Sequence, residues 1–200
     1  MKQIVKKLVV FLLVALLLST LNVGSWSVLA DEVEKGPFTY EVKDGAVTIV
    51  AADAALKGKL EIPATIEDYP VTAIGNKAFY DCDEITSVYI PASVTSIGRD
   101  AFGSCLAMTY IDVDKDNPAY CDVDGAVYSK DKTEFVCLSN CYGVETYTIL
   151  DGVVTVKAGA FFSCAGLRTV KFPDSVTSIE MMAFHFCKYN LVTMYSISFK

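Results

Sequence analysis

Histidine is almost absent from these 200 residues, with His185 the single copy, and tryptophan is represented only by Trp26. One imidazole rules out any centre built on two, and it would force every Ser-His-Asp arrangement to run through His185. No G-x-S-x-G elbow surrounds a serine, and neither phosphate-cradling glycine pattern, G-x-x-x-x-G-K-[ST] or G-x-G-x-x-G, occurs. The sequence therefore reads as non-catalytic, with no cofactor. Positive charge is scarce as well, with 17 Lys and Arg against 24 Asp and Glu. Three of those bases, Lys2, Lys6 and Lys7, precede an apolar run from Leu8 to Leu18. Without residues 1–30 there remain 14 bases and 24 acids, a formal charge of −10. Nucleic acid is excluded as a partner, because its binders need a basic face to displace counterions.

Residues 1–30 read as a secretory leader. The lysines form its positive start, Leu8–Leu18 its apolar centre, and Val28-Leu29-Ala30 a cleavage context before Asp31. The expectation is a secreted or cell-surface protein cut near Ala30-Asp31. Membrane contact would arise only if the leader stayed attached, since Leu8 to Ala30 is nearly long enough to span.

Self-comparison shows a repeat. Ala78-Phe79-Tyr80-Asp81-Cys82, Ala101-Phe102-Gly103-Ser104-Cys105, Ala160-Phe161-Phe162-Ser163-Cys164 and Ala183-Phe184-His185-Phe186-Cys187 share one signature. Their alanines are spaced 23, 59 and 23 apart, so the middle gap holds one period plus 36 residues. Residues 85–105 match 167–187 at ten of 21 positions. Within a unit, Val88 and Ile90 alternate with Ser87 and Tyr89, the period-two pattern of a half-buried strand, which Pro91 closes. Val94–Ile97 suggests a second short strand, and Ala101-Phe102 a short helical or 3₁₀ return. A single coil cannot enclose its own apolar face, whereas stacked coils can.

The unit L/I-x-x-V-x-I/F-P-x-S-V-T-S-I-x-x-x-A-F-x-x-C closely resembles the BspA-type leucine-rich repeat of bacterial surface proteins, over about residues 36–187. That resemblance implies a curved, β-dominated leucine-rich repeat solenoid with parallel strands. It also implies adhesion or protein binding at a cell surface. Departures are visible: Leu150 replaces the proline of the other units, Glu67-Asp68-Tyr69 is extra, and Leu191 falls one residue out of register. A frayed or truncated last coil is expected from that shift.

Three regions follow: the leader, an N-terminal β cap over 31–59, and a repeat domain over 60–200 interrupted at about 112–145. In the cap, Phe38–Val42 and Ala46–Val50 flank Asp44-Gly45 as a hairpin that would shield the apolar end of the stack. The interruption is also β-rich, with turns at Asp124-Gly125 and Ser129–Lys132. It reads either as a projecting recognition hairpin or as a plain extension of the sheet.

Phe79, Phe102, Phe161 and Phe184 are expected to form one interior column, and Cys82, Cys105, Cys164 and Cys187 another. Adjacent rungs lie about 4.8 Å apart with parallel Cβ vectors. A disulfide needs converging Cβ atoms about 3.8 Å apart, so the ladder thiols are expected to stay reduced. Cys121 has a possible bridge to Cys137 or Cys141. Cys137-x-x-x-Cys141 lacks the paired ligands of a zinc site, and the Asp112, Asp114, Asp116 alternation fails as a calcium loop at Asn117 and Val123. No metal is assigned. What remains is surface: outward strand positions Ser87, Tyr89, Tyr110, Asp112, Thr148, Thr169 and Lys171 make a ribbon of tyrosine, hydroxyl and charge. Such a surface suits a protein or glycoprotein partner at a cell surface or in extracellular matrix. The alternative is a structural spacer, or a truncated paralogue of a larger surface protein, with no ligand of its own.

Overall fold

The computed structural model describes residues 33–35, 37–139, 143–187 and 193–195. The leader with Trp26, and also Cys141 and Leu191, lie outside the described residues.

The chain enters through β1 (Val33–Lys35), β2 (Phe38–Lys43) and β3 (Ala46–Ala52), paired antiparallel in that order. Asp44 (φ 51°) and Gly45 (φ 77°) make the β2–β3 turn, in the left-handed geometry that suits a two-residue hairpin. β3 then pairs in parallel with β6 (Tyr69–Ile74), Ile49 opposite Ile74, which joins the hairpin to the first coil. Tyr40, Val47 and Ile49 are fully buried beneath it. The extra residues Glu67 and Asp68 form the tight turn between β5 (Thr65–Ile66) and β6, both with positive φ.

Each later coil contributes a long front strand and a short back strand. On the front, β4 (Lys57–Glu61), β7 (Glu84–Ile90) and β9 (Tyr110–Val113) pair in parallel, so Lys59, Ser87 and Tyr110 form one row and Glu61, Tyr89 and Asp112 the next. On the back, β6 pairs with β8 (Ser96–Ile97), Ile74 beside Ile97. Between rungs the apolar side chains meet: Phe79 and Phe102 stack at 5.4 Å with planes 11° apart.

The returns are turns rather than the helical or 3₁₀ segments expected; no helix occurs among the described residues. Residues with positive φ recur just before the alanine and just before the cysteine of each signature: Lys77 and Asp81, Asp100 and Ser104, Gly159 and Ser163, Met182 and Phe186. A left-handed residue every fourth position stops a right-handed helix before it can propagate. The turns are instead tied between coils, Phe79 N to Ala101 O at 2.8 Å and Asp81 N to Gly103 O at 3.1 Å.

The interruption is smaller than its sequence suggests. β10 (Tyr120–Val123) and β11 (Ala126–Ser129) form a hairpin, but β12 (Glu134–Cys137) pairs in parallel with β14 (Thr155–Val156), which pairs with β16 (Ser178–Ile179). β13 (Thr146–Thr148) likewise joins β15 (Thr169–Lys171) and β17 (Thr193–Tyr195) in a parallel front sheet. Leu138 N donates to Ala160 O at 2.9 Å, matching Phe161 N to Ala183 O at 2.8 Å. Cys137-Leu138 therefore stands where other coils carry Ala-Phe, and an additional coil lies hidden inside 112–145. Only the β10–β11 hairpin is surplus.

That hairpin extends the back sheet, β11 pairing with β12, and β11 does not project from the stack. Ala126, Val127 and Tyr128 are all fully buried. Val127 packs with the first apolar cluster, which runs from Phe38 to Val113, while Ala126 and Tyr128 pack with a second, from Phe135 to Ala183. The expected single column of phenylalanines is accordingly two stacks. Phe79–Phe102 is one; Phe135, Phe161 and Phe184 form the other, at 4.7 and 4.8 Å.

The cysteine ladder needs one correction. Cys82, Cys105 and Cys187 are free, as expected, but Cys164 is disulfide-bonded. Parallel Cβ vectors keep apart the rung pairs visible in sequence, 82 with 105 and 164 with 187. On its N-terminal side Cys164 adjoins the hidden coil, a neighbour that the repeated signature does not reveal. Cys121 and Cys137 are also free, so Cys121 makes no bridge. Burial pushes the Cys105 thiol up to about 12, and its Sγ donates to Phe79 O at 3.0 Å. Denatured, unreduced protein is expected to titrate five of the seven thiols with Ellman reagent; seven would show that no disulfide forms.

Candidate functional site

The outward residues of the front strands fall into two groups. Ser87, Tyr89, Tyr110 and Asp112 are contiguous on β7 and β9, with Lys59 and Glu61 beside them on β4. Thr148, Thr169 and Lys171 are contiguous on β13 and β15. The two front sheets are not paired with each other. The hairpin separates them: it takes the free edge of β9, Ile111 N donating to Gly125 O at 3.4 Å and Val113 N to Asp122 Oδ1 at 3.1 Å.

The first group is the more ordered. Tyr89 Oη donates to Asp114 Oδ2 at 2.5 Å, and Tyr110 Oη donates to Asp122 Oδ2 at 2.9 Å. Asp114 also accepts from Asp116 N at 2.8 Å, so the loop after β9 is wrapped around it. Gly125 (φ 81°) lies in the left-handed region that favours glycine, and a Cβ there would lie 3.0 Å from the Tyr110 ring. The two rings are thereby fixed in orientation while Tyr110 stays 42% exposed. Charge around them is acidic. Lys57 and Lys59 pair with Glu84 and Glu61 at 2.9 and 3.0 Å, while Asp112, Asp114, Asp122 and Asp124 enter no ion pair among the described residues. Asp114, part of the failed calcium alternation, and Asp122 thus accept from tyrosine and backbone donors. Among the described residues no three acidic, Cys or His side chains are placed to hold a metal ion.

The hydrogen bond from Tyr89 to Asp114 raises the phenol from its ordinary 10.0 to about 12, and the same bond lowers Asp114. The tyrosine value is higher folded than unfolded, so its stabilising effect is complete below about pH 10 and disappears as pH climbs through about 12. Burial or a hydrogen bond also raises Tyr110, Tyr120, Tyr128 and Tyr147, so ultraviolet phenolate titration is expected to show a group of late tyrosines from which Tyr89→Phe removes one. A tyrosine titration unchanged by that substitution would break the assignment.

The second group is plainer. Thr146, Thr148 and Lys171 are exposed and Thr169 is half-buried, with no charge network comparable to the first. His185 is exposed on a turn, its ring 4.1 Å from Phe186 and 5.8 Å from Phe162. Asp114 and Asp122, which orient the tyrosines, were not selected from sequence as surface determinants. Their spacing from Tyr89 and Tyr110 carries no periodic signal, since one sits in a loop and the other on the hairpin.

Repeated parallel rungs, recurrent left-handed turns and interior Phe and Cys positions define a solenoid whose period is 23 residues. A family model described as "BspA type Leucine rich repeat region" matches residues 57–121 and 132–200 in six copies. The chain belongs to that family. The second matched segment starts two residues before β12, so this BspA-type family model also spans the hidden coil. Among solved structures, a leucine-rich repeat protein from Bacteroides capillosus is 28% identical with a TM-score of 0.43, covering 82% of this chain and 98% of its own. The T. pallidum leucine-rich repeat protein is 24% identical (TM-score 0.49; 77% and 66% covered). A leucine-rich cell surface protein from Faecalibacterium prausnitzii is 22% identical (TM-score 0.48; 86% and 55% covered). No curated protein matches the chain.

Proposed function

We propose that this BspA-type protein is a non-catalytic binding module, secreted after cleavage near Ala30-Asp31, that holds a protein or glycoprotein at a cell surface or in extracellular matrix. The observation that carries the reading is the β7–β9 patch, where Tyr89 and Tyr110 are oriented by Asp114 and Asp122 before any partner arrives. Tyrosine supplies large contact area from few rotatable bonds, and fixing its ring in advance removes part of the ordering cost of binding. Ser87 and Asp112 complete that patch; Thr148, Thr169 and Lys171 lie across the hairpin and serve as its outer margin.

The test is surface plasmon resonance of residues 31–200 over immobilised matrix proteins and cell-surface glycoproteins. Tyr89→Ala with Tyr110→Ala is expected to weaken capture at least tenfold, and Thr148→Ala with Lys171→Ala by less than threefold. The reverse ranking would move the contact to the second group. Absence of capture across the panel would favour a spacer.

A further inference from the structure

The two apolar stacks do not close fully on each other at the turn side. Ser104 Oγ and Ser163 Oγ meet at 3.0 Å and Tyr80 touches Phe162, ring to ring at 5.8 Å. Beside this seam lies a cavity of about 140 Å³. Val136 and Leu138 give it an apolar wall, and Asp100, Lys157 and Glu180 line it with charge. Its volume is close to that of a cavity able to admit one benzene-sized molecule.

Asp100 is the unusual group. Its side chain is only 2% exposed. Arg99 Nε stands 3.4 Å from Oδ2, while Oδ1 has no hydrogen-bond partner. Gly159 makes room for this carboxylate, since a Cβ at that position would run into Oδ1. A buried carboxylate oxygen without a donor is costly, and in native proteins such a group calls for a specific explanation. Asp100 itself lines the cavity, so the unpartnered oxygen belongs to a residue on its wall. Lys157 does not serve as the missing donor: its Nζ pairs with Glu180 at 2.8 Å and Glu134 at 3.5 Å, and no hydrogen bond or ion pair joins it to Asp100. The charged groups lining the cavity, Arg99, Lys157, Asp100 and Glu180, balance formally, and Glu134, which does not line it but pairs with Lys157 at 3.5 Å, brings one surplus negative charge beside it.

We propose that this cavity binds a small primary ammonium compound, with its alkyl part against Val136 and Leu138 and its N–H groups donated to Asp100. Three donors and one positive charge on a narrow alkyl stem answer the unsatisfied oxygen, the surplus negative charge and the apolar wall together. A carboxylate ligand would add to the surplus, and a neutral alcohol would leave it unbalanced.

The probe is n-butylammonium, with n-butanol and butyrate as neutral and anionic counterparts, followed by amide chemical shifts in the intact chain. Saturable shifts at Gly98, Gly103 and Gly159 are expected with the ammonium, at an affinity at least tenfold above either counterpart. Asp100→Asn keeps the shape and tolerates the left-handed backbone (φ 56°), and it is expected to weaken binding at least tenfold. Val136→Phe alters no charge but fills the cavity, and is expected to abolish the shifts. No saturable shift with n-butylammonium would mean that the cavity holds solvent alone, and the assignment fails. Equal binding of n-butanol, or unchanged affinity in either variant, also overturns it.

Discussion

Replacing Asn117 by alanine is expected to cost about 3–4 kcal/mol of folding stability, from four buried hydrogen bonds lost at one position. Its side chain is completely buried. Nδ2 donates to Pro91 O and Val94 O, both at 2.9 Å, and Oδ1 accepts from Ala119 N at 2.9 Å and Tyr120 N at 2.8 Å. This one amide ties the end of β7 to the start of the β10–β11 hairpin, so it fixes where the surplus chain leaves and rejoins the coil. Asn117→Asp separates the amide's two halves. The carboxylate still accepts from Ala119 and Tyr120 but sets an oxygen against two carbonyls, so at neutral pH its loss should equal or exceed that of alanine. Urea denaturation of both variants measures this. A midpoint for Asn117→Asp near that of the parent would show that the donor half contributes little.

Phe161→Ala is expected to be comparably severe, about 3–5 kcal/mol, through a cavity at the centre of the second stack. Phe161 is fully buried between Phe135 at 4.7 Å and Phe184 at 4.8 Å, with Tyr147 edge-on at 6.0 Å. The loss should also be spatially uneven. In a stack, each rung is stabilised mainly by its neighbours, and here β11 stands between the two clusters. Amide exchange is therefore expected to accelerate at Val156 and Val170 before Val88 and Ile111. Uniform acceleration across all four would show that the two clusters unfold as a single unit.

Much of the fold could be read from the residues alone, because a repeat declares itself whenever the same apolar position recurs at a fixed distance. Val88, Ile90 and their counterparts announce front strands through alternation, and Asp44-Gly45 announces the first hairpin. The hidden coil escaped because its signature is rewritten: Cys137-Leu138 takes the backbone position of Ala-Phe without sharing its letters, and Phe135 supplies the ring that stacks on Phe161. The turns escaped for a different reason. Lys77, Ser104, Met182 and Phe186 are ordinary residues for a helical return, and their positive φ accompanies inter-coil hydrogen bonds made by Lys77 or by the neighbouring Gly103, Ala183 and His185 carbonyls.

At the surface the division is similar. Ser87, Tyr89, Tyr110 and Asp112 were legible as neighbours because strand alternation and the 23-residue period together dictate a row. Their separation from Thr148, Thr169 and Lys171 was not, because it depends on where one hairpin docks. The sequence by itself determined the repeat, its inward and outward faces and the acidic character of its surface, all of which follow from periodicity and charge count. Only the tertiary structure decided that β11 is buried between two stacks, that Asp114 and Asp122 hold the tyrosines, and that Asp100 lies unsatisfied at the seam. Those features rest on contacts between residues with no fixed spacing, and such contacts exist only once the coils have closed on one another.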